Sequence, residues 1–248
     1  MSDGSPAIAP RFLASGDTAL VVEFGDRMDR HISALVLNLL RRLRDAEIAG
    51  VVEAVPTFRS LLIHYNPLIV RARDLKARLL PLMDGLEAEA MGGHRWFFPT
   101  CYEGGDLAPD LDDVARATGL STSKVVELHT EVEHLVYVIG FLPGLPYLGD
   151  LPAVLELPRR TSPRIKVPAG SVAIATNQIC IYPLESPGGW HIIGRTAVPL
   201  YDPRRQSPVL LAPGDTVRFV PVSREVYDDM QAANQDGVFD VDTLRADP

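Results

Sequence analysis

From Leu135 to Pro221 the chain is a succession of short apolar runs broken by proline and glycine, and this punctuation limits the fold more than any other feature. Runs at 136–139, 172–175, 179–182, 191–193, 198–201 and 217–220 are too short for helices and suit strands. Their regular spacing predicts an all-β barrel or sandwich for this part. With 21 prolines and 19 glycines in 248 residues, an all-helical bundle is excluded.

The first ninety residues read differently, as two similar strand-strand-helix units. Strands are expected at 11–14 and 19–24, around the turn residues Ser15, Gly16 and Asp17. A helix follows at 31–46, where Ile32, Leu35, Val36, Leu39, Leu40 and Leu43 recur at spacings of three and four and form one apolar stripe. The second unit has strands at 51–55 and 61–65, then a helix carrying Leu75, Leu79, Leu82 and Leu86, with Pro81 expected to kink or break it. Two ββα units most simply give a four-stranded sheet with both helices on one face. Periodicity is lost over 87–93, which ends in Gly92 and Gly93. A boundary there gives a small α+β domain at 1–90 and a β domain at 91–248, an α+β class overall. In the second domain a strand is expected at 95–99, and helices at 111–118 and 124–130, with Asp110 and Ser121 or Thr122 as N-caps. An outer helix is expected at 223–233.

Charge and motifs exclude several function classes. A net charge of -8 disfavours nucleic acid and anionic membranes, which need clustered Lys and Arg. The N-terminal segment lacks a basic start followed by an apolar core, and no apolar run is long enough to span a bilayer, so the expected location is the cytoplasm. Cys101 and Cys180 are expected as free thiols in a reducing compartment. The chain has no phosphate-binding G-x-x-x-x-G-K-[ST] loop, no G-x-G-x-x-G, no G-x-S-x-G elbow and no H-E-x-x-H. His129 and His134, five apart, would lie about 140° from one another on a helix, so no shared metal is expected. Lys76, Lys124 and Lys166 are its only lysines and none sits between methionines, so the chain carries no biotin of its own.

Two stretches are chemically unusual, GFLPGLPYLG at 140–149 and YPLESPGGWHIIGRT at 182–196. In the first, Gly140, Gly144 and Gly149 let the backbone turn and approach a ligand, while Pro143 and Pro146 stiffen it. Phe141, Pro143, Gly144 and Tyr147 are therefore candidate binding residues. Arg164 and Lys166, two apart, would share a face of an extended segment and attract anions. Arg195, Gln178, Tyr182 and His191 offer further donors to a carbonyl, carboxylate or phosphate. The structural alternatives are an ordinary solvated pair for Arg164 and Lys166, an ion pair of Arg195 with Asp202 or Glu185, and core packing for Tyr147 and Trp190. Arg195, His191 and Lys166 are the candidates for a catalytic role.

The runs GFLPGLPYLGDLP, PRRTSPRIKVPAGSVAIA, QICIYPLESPGGWHIIGRT and LAPGDTVRFVPVS, with SGDTALVVEFGD and VPTFRSLLIHYNP before them, resemble one family, which takes in allophanate hydrolase subunit 1, the 5-oxoprolinase B subunits and KipI. The resemblance covers roughly residues 10–225. It implies a cyclophilin-like β-barrel for the second domain and a component of an ATP-dependent 5-oxoprolinase, inactive alone, that converts 5-oxo-L-proline to L-glutamate. It further implies a larger partner resembling allophanate hydrolase subunit 2 (the 5-oxoprolinase C subunit), a separate lactam-handling subunit, and ATP with magnesium shared with the partner. Arg164, Lys166 and Arg195 would neutralise phosphate or a substrate carboxylate, while Gln178 and His191 orient polar atoms. The alternatives within the resemblance are a carboxyltransferase role related to urea carboxylase and a KipI-like inhibitor of a histidine kinase.

Overall fold

The computed structural model describes residues 10–88 and 92–246. The N-terminal segment, and residues 89–91 within the expected boundary at 87–93, lie outside the described residues. The chain divides into two compact units, residues 1–91 and 92–248. No helix among the described residues is long and apolar enough to cross a membrane.

In the first unit β1 (Arg11–Ala14), β2 (Ala19–Glu23), β3 (Val51–Pro56) and β4 (Ser60–Tyr65) form an antiparallel sheet of order β1-β2-β4-β3. Helix α1 (Arg30–Asp45) starts where the Asp29 carboxylate accepts from the His31 and Ile32 backbone N–H groups, at 2.8 and 3.3 Å. Its apolar stripe is buried throughout, each side chain contributing about 1.5–3 kcal/mol. Helix α2 (Ala72–Met83) packs on α1, and both share one core with the sheet. Pro81 falls in the last turn of α2 and the helix ends two residues later. Arg42 of α1 donates to the carbonyls of Leu82, Asp84 and Gly85 at 2.8–3.0 Å, satisfying acceptors that the helix end leaves open.

The strands of the second unit are β5 (Arg95–Cys101), β6 (His134–Ile139), β7 (Pro146–Leu148), β8 (Arg164–Val167), β9 (Ser171–Ala175), β10 (Gln178–Ile181), β11 (Ser186–Gly188), β12 (His191–Thr196) and β13 (Thr216–Val222). Seven of them close into a barrel of order β10-β7-β6-β13-β5-β12-β9, and β8 pairs with β11 in a two-stranded ribbon. All barrel pairs are antiparallel except β5 with β13, which are parallel. The Asp215 carboxylate fixes that pair. Only 3% exposed, it accepts from His94 N (2.8 Å), Trp96 Nε1 (3.1 Å) and Ala212 N (2.9 Å). Three helices complete the unit: α3 (Leu111–Thr118), α4 (Thr122–Glu131) and α5 (Arg224–Gln235). Ser121 and Ser223 cap α4 and α5 through their hydroxyls.

Several local expectations are corrected. Residues 198–200 are not a strand, since Pro199 has no N–H to give a ladder; Val198 and Leu200 are nevertheless buried, and Tyr201 makes an isolated bridge to Val209. Asp110 sits at the N-cap of α3 but makes no capping bond. His134 is not on the helix of His129: α4 ends at Glu131 and His134 opens β6, so the two rings meet with centroids 5.3 Å apart. Of the three loop glycines only Gly144 takes a positive φ, 79°, while the non-glycines Phe141 and Asp150 also do, at 68° and 63°.

Candidate functional site

The antiparallel pairing of β7 with β10 sets Tyr147 opposite Cys180, so these side chains are cross-strand neighbours. Tyr182 follows β10 directly and Trp190 precedes β12, its ring 5.9 Å from that of Tyr147 and steeply inclined to it. These four residues, with Leu145 and Phe141, line a cavity of about 130 Å³. A Cβ on Gly188 would collide with the Tyr182 hydroxyl, so this close approach of ring to backbone requires glycine. Burial pushes the Cys180 thiol and the Tyr182 and Tyr147 phenols above their ordinary values, so all three stay protonated and neutral at pH 7. The charge on the lining is that of Arg159, whose guanidinium lies 5.8 Å from the Trp190 ring centre.

Arg159 also lines a second cavity, of about 390 Å³, with Arg160, Thr161, Ser162 and His191. His191 Nε2 donates to the Pro158 carbonyl at 2.9 Å. A carbonyl only accepts, so the proton is on Nε2, and Nδ1 is left buried with no partner among the described residues. Arg160 Nε is buried and unpartnered as well. Asp110 holds this wall in place. Its carboxylate, 2% exposed, accepts from Arg160 Nη1 at 2.7 Å, from Arg164 Nη1 and Nη2 at 2.8 and 2.6 Å, and from Ile192 N at 2.7 Å. One carboxylate thus ties the 159–164 segment to the start of β12.

The residues singled out in the sequence are dispersed. Phe141, Tyr147 and Tyr182 line the smaller cavity and His191 the larger, while Pro143 and Gly144 shape the turn between Phe141 and Leu145 without lining either. Arg164 and Lys166 do not form an anion-facing pair: Arg164 is bound by Asp110, and Lys166, 75% exposed, pairs with Glu185 at 3.1 Å. Gln178 is on β10 opposite Ala175, away from both linings. Arg195 pairs with neither Asp202 nor Glu185; it donates to the Asp106 carbonyl at 2.7 Å, and Asp202 is engaged by Arg204. Sequence reading missed Arg159 altogether and the clamping role of Asp110. Arg159 stands in an Arg-Arg pair whose members look alike until the fold gives one a carboxylate partner. Among the described residues no cluster of His, Cys, Asp and Glu could hold a metal ion.

Comparison with known proteins places this architecture. The family described as carboxyltransferase domain, subdomain C and D, matches residues 10–211. The 5-oxoprolinase B subunit of Escherichia coli O157:H7 is 44% identical over 208 residues, covering 83% of this chain and 93% of that protein. That of Bacillus subtilis is 34% identical over 226 residues, covering 86% and 92%. The crystal structure of the K. lactis urea amidolyase superposes on 98% of this chain with a TM-score of 0.78 at 21% identity, a likeness of fold that involves 16% of that larger chain. With the match running through both units, and both cavities inside the matched span, the chain belongs to the carboxyltransferase subdomain C and D family, together with the 5-oxoprolinase B subunits.

Proposed function

We propose that this chain is the B subunit of an ATP-dependent 5-oxoprolinase, which hydrolyses 5-oxo-L-proline to L-glutamate. Its partners in this reading are a larger C subunit, related to allophanate hydrolase subunit 2, and a separate lactam-handling subunit. The observation that carries it is the near end-to-end likeness to bacterial 5-oxoprolinase B subunits, which leaves little of either chain unmatched. The cavities support it. One is small, aromatic and singly positive, and the other is larger, with arginine, hydroxyl and imidazole groups in a lining that also includes Ala117, Leu157 and Pro158.

ATP with magnesium is the expected co-substrate, shared with the partner, and the orphaned Arg160 Nε with the Thr161 and Ser162 hydroxyls of the same lining fits phosphate oxygens. When bound, the nucleotide supplies the phosphoryl group that makes the unreactive lactam oxygen a leaving group. The chain's own residues orient and neutralise. His191 keeps its Nε2 proton on Pro158, which leaves Nδ1 to accept from a donor on a bound ligand. Arg160 adds positive charge held at fixed position by Asp110.

The test is ATP-dependent release of glutamate from 5-oxoproline by this chain mixed with its partner subunits, omitting each component in turn. Release should require this chain, and the chain alone should release none. His191→Ala should lower turnover about tenfold or more, and Arg195→Ala, outside both cavities, should lower it less. The family description favours a second reading, carboxyl transfer from biotin to urea or a related amide. Avidin-sensitive carboxylation without glutamate release would select it and reject the oxoprolinase.

A further inference from the structure

We propose that the 130 Å³ cavity is a subsite for a small ring carboxylic acid, with the carboxylate paired to Arg159 and the ring laid between Trp190, Tyr147 and Phe141. Naming the ring acid as 5-oxoproline rests on the oxoprolinase reading; the subsite itself rests on geometry. Arg159 differs from the neighbouring arginines. Arg160 and Arg164 are claimed by Asp110, and Arg204 by Asp202. Among the described residues no carboxylate pairs with Arg159, whose contact is the face of Trp190 near the outer limit for a cation on a ring. A guanidinium stacked at that distance keeps its planar fork of donors for a carboxylate.

The rest of the lining excludes other ligands. It holds no acidic side chain, and its thiol and phenols are neutral, so Arg159 makes the cavity singly positive and suited to a monoanion. An apolar cavity of about 150 Å³ accepts benzene, so the space here admits one five-membered ring and no nucleoside. Phe141 supplies an independent sign of function. A bulky residue with φ 68° is strained, yet its side chain is 70% exposed and gains little from packing. That conformation keeps an apolar ring at the rim, where it would pack on a ligand entering the cavity.

Trp96 and Trp190 are the chain's two tryptophans, and Trp96 is buried in the barrel core on Asp215, so a fluorescence change on ligand addition reports Trp190. The full chain is titrated with 5-oxoproline, with 2-pyrrolidinone (the same ring without the carboxylate) and with inorganic phosphate. Saturable binding of the acid is expected, with the neutral lactam and phosphate each about tenfold or more weaker. Arg159→Gln should weaken the acid about tenfold or more and leave 2-pyrrolidinone unchanged, and Arg159→Lys should restore part of the loss. In the assembled complex Arg159→Gln should raise KM more than it lowers kcat. Equal affinity for acid and lactam, an unchanged Kd in Arg159→Gln, or no saturable binding of the acid overturns the subsite. Full turnover with KM and Kd indifferent to Arg159 removes the subsite and leaves the oxoprolinase reading intact. Arg159-dependent binding of the acid in a complex that releases no glutamate does the reverse.

Discussion

Asp110 concentrates more of the site's order than any group that lines a cavity. Its buried carboxylate is the shared acceptor of two guanidinium groups and a backbone N–H. Asp110→Ala would leave Arg160 and Arg164, each only 26% exposed, without a counter-charge. Breaking a buried pair in this way costs about 3–5 kcal/mol, here toward the low end because the arginines keep some solvent. The expected result is a fall of about 3 kcal/mol in urea denaturation with an unchanged slope, together with weaker function at His191; an unmoved midpoint would refute the clamp. In the sequence Asp110 reads as a helix cap because aspartate before an apolar run is a local signal. Its actual partners are 50, 54 and 82 residues away, and no local pattern encodes such distances. The same holds for Arg159, distinguished from Arg160 only by which of them reaches Asp110. Phe141, Tyr147 and Tyr182 were legible because proline and glycine mark the loops that present them.

Elements with a period were legible and pairings were not. The stripe of α1 stands out because side-chain direction repeats every 3.6 residues, and the runs of β9, β10 and β13 because each is short, apolar and bounded by turn residues. The parallel union of β5 and β13, whose partners Trp96 and Val217 lie far apart in the chain, leaves no periodic trace; its evidence is the single buried Asp215. The meeting of His129 and His134 leaves no such trace either: helical spacing would keep the two apart, but α4 ends at Glu131 and β6 begins at His134. Tyr102, His134 and Phe219 surround His129. Burial first, and then the neighbouring His134, hold the His129 pKa well below 6.5. The folded state therefore binds fewer protons here than the unfolded chain, and stability is fully present above about pH 6.5 and lost as pH falls. Each pH unit of decline removes up to about 1.4 kcal/mol for one proton. His129→Gln lacks this titration, so its loss of stability between pH 7 and pH 5 should be smaller than that of the unaltered protein, measured by urea unfolding at about each pH. Parallel curves would show that His129 takes up protons in the fold as it does in the unfolded chain.

The two units carry separate cores, and no residue of the one built on α1 and its sheet belongs to the cluster inside the barrel. Apolar burial is the main source of cooperativity, so damage to one core should be felt chiefly within its own unit. Both tryptophans lie in the second unit, which makes their fluorescence a probe of the barrel alone, whereas far-ultraviolet circular dichroism also reports α1 and α2. Leu39 and Phe98 are each fully buried, one in each core. Leu39→Ala should remove about 2–5 kcal/mol from the first unit, and Phe98→Ala about 3–5 kcal/mol from the second. In urea, Leu39→Ala is expected to bring the dichroism transition earlier while the tryptophan midpoint stays in place. Phe98→Ala should move the tryptophan midpoint itself. The contrast matters for the chemistry, because both cavities lie within the barrel unit: a variant destabilised at Leu39 should still bind a ring acid at Trp190. If Leu39→Ala instead shifts both probes together, the units unfold as one and the cavities depend on the first core as much as on their own.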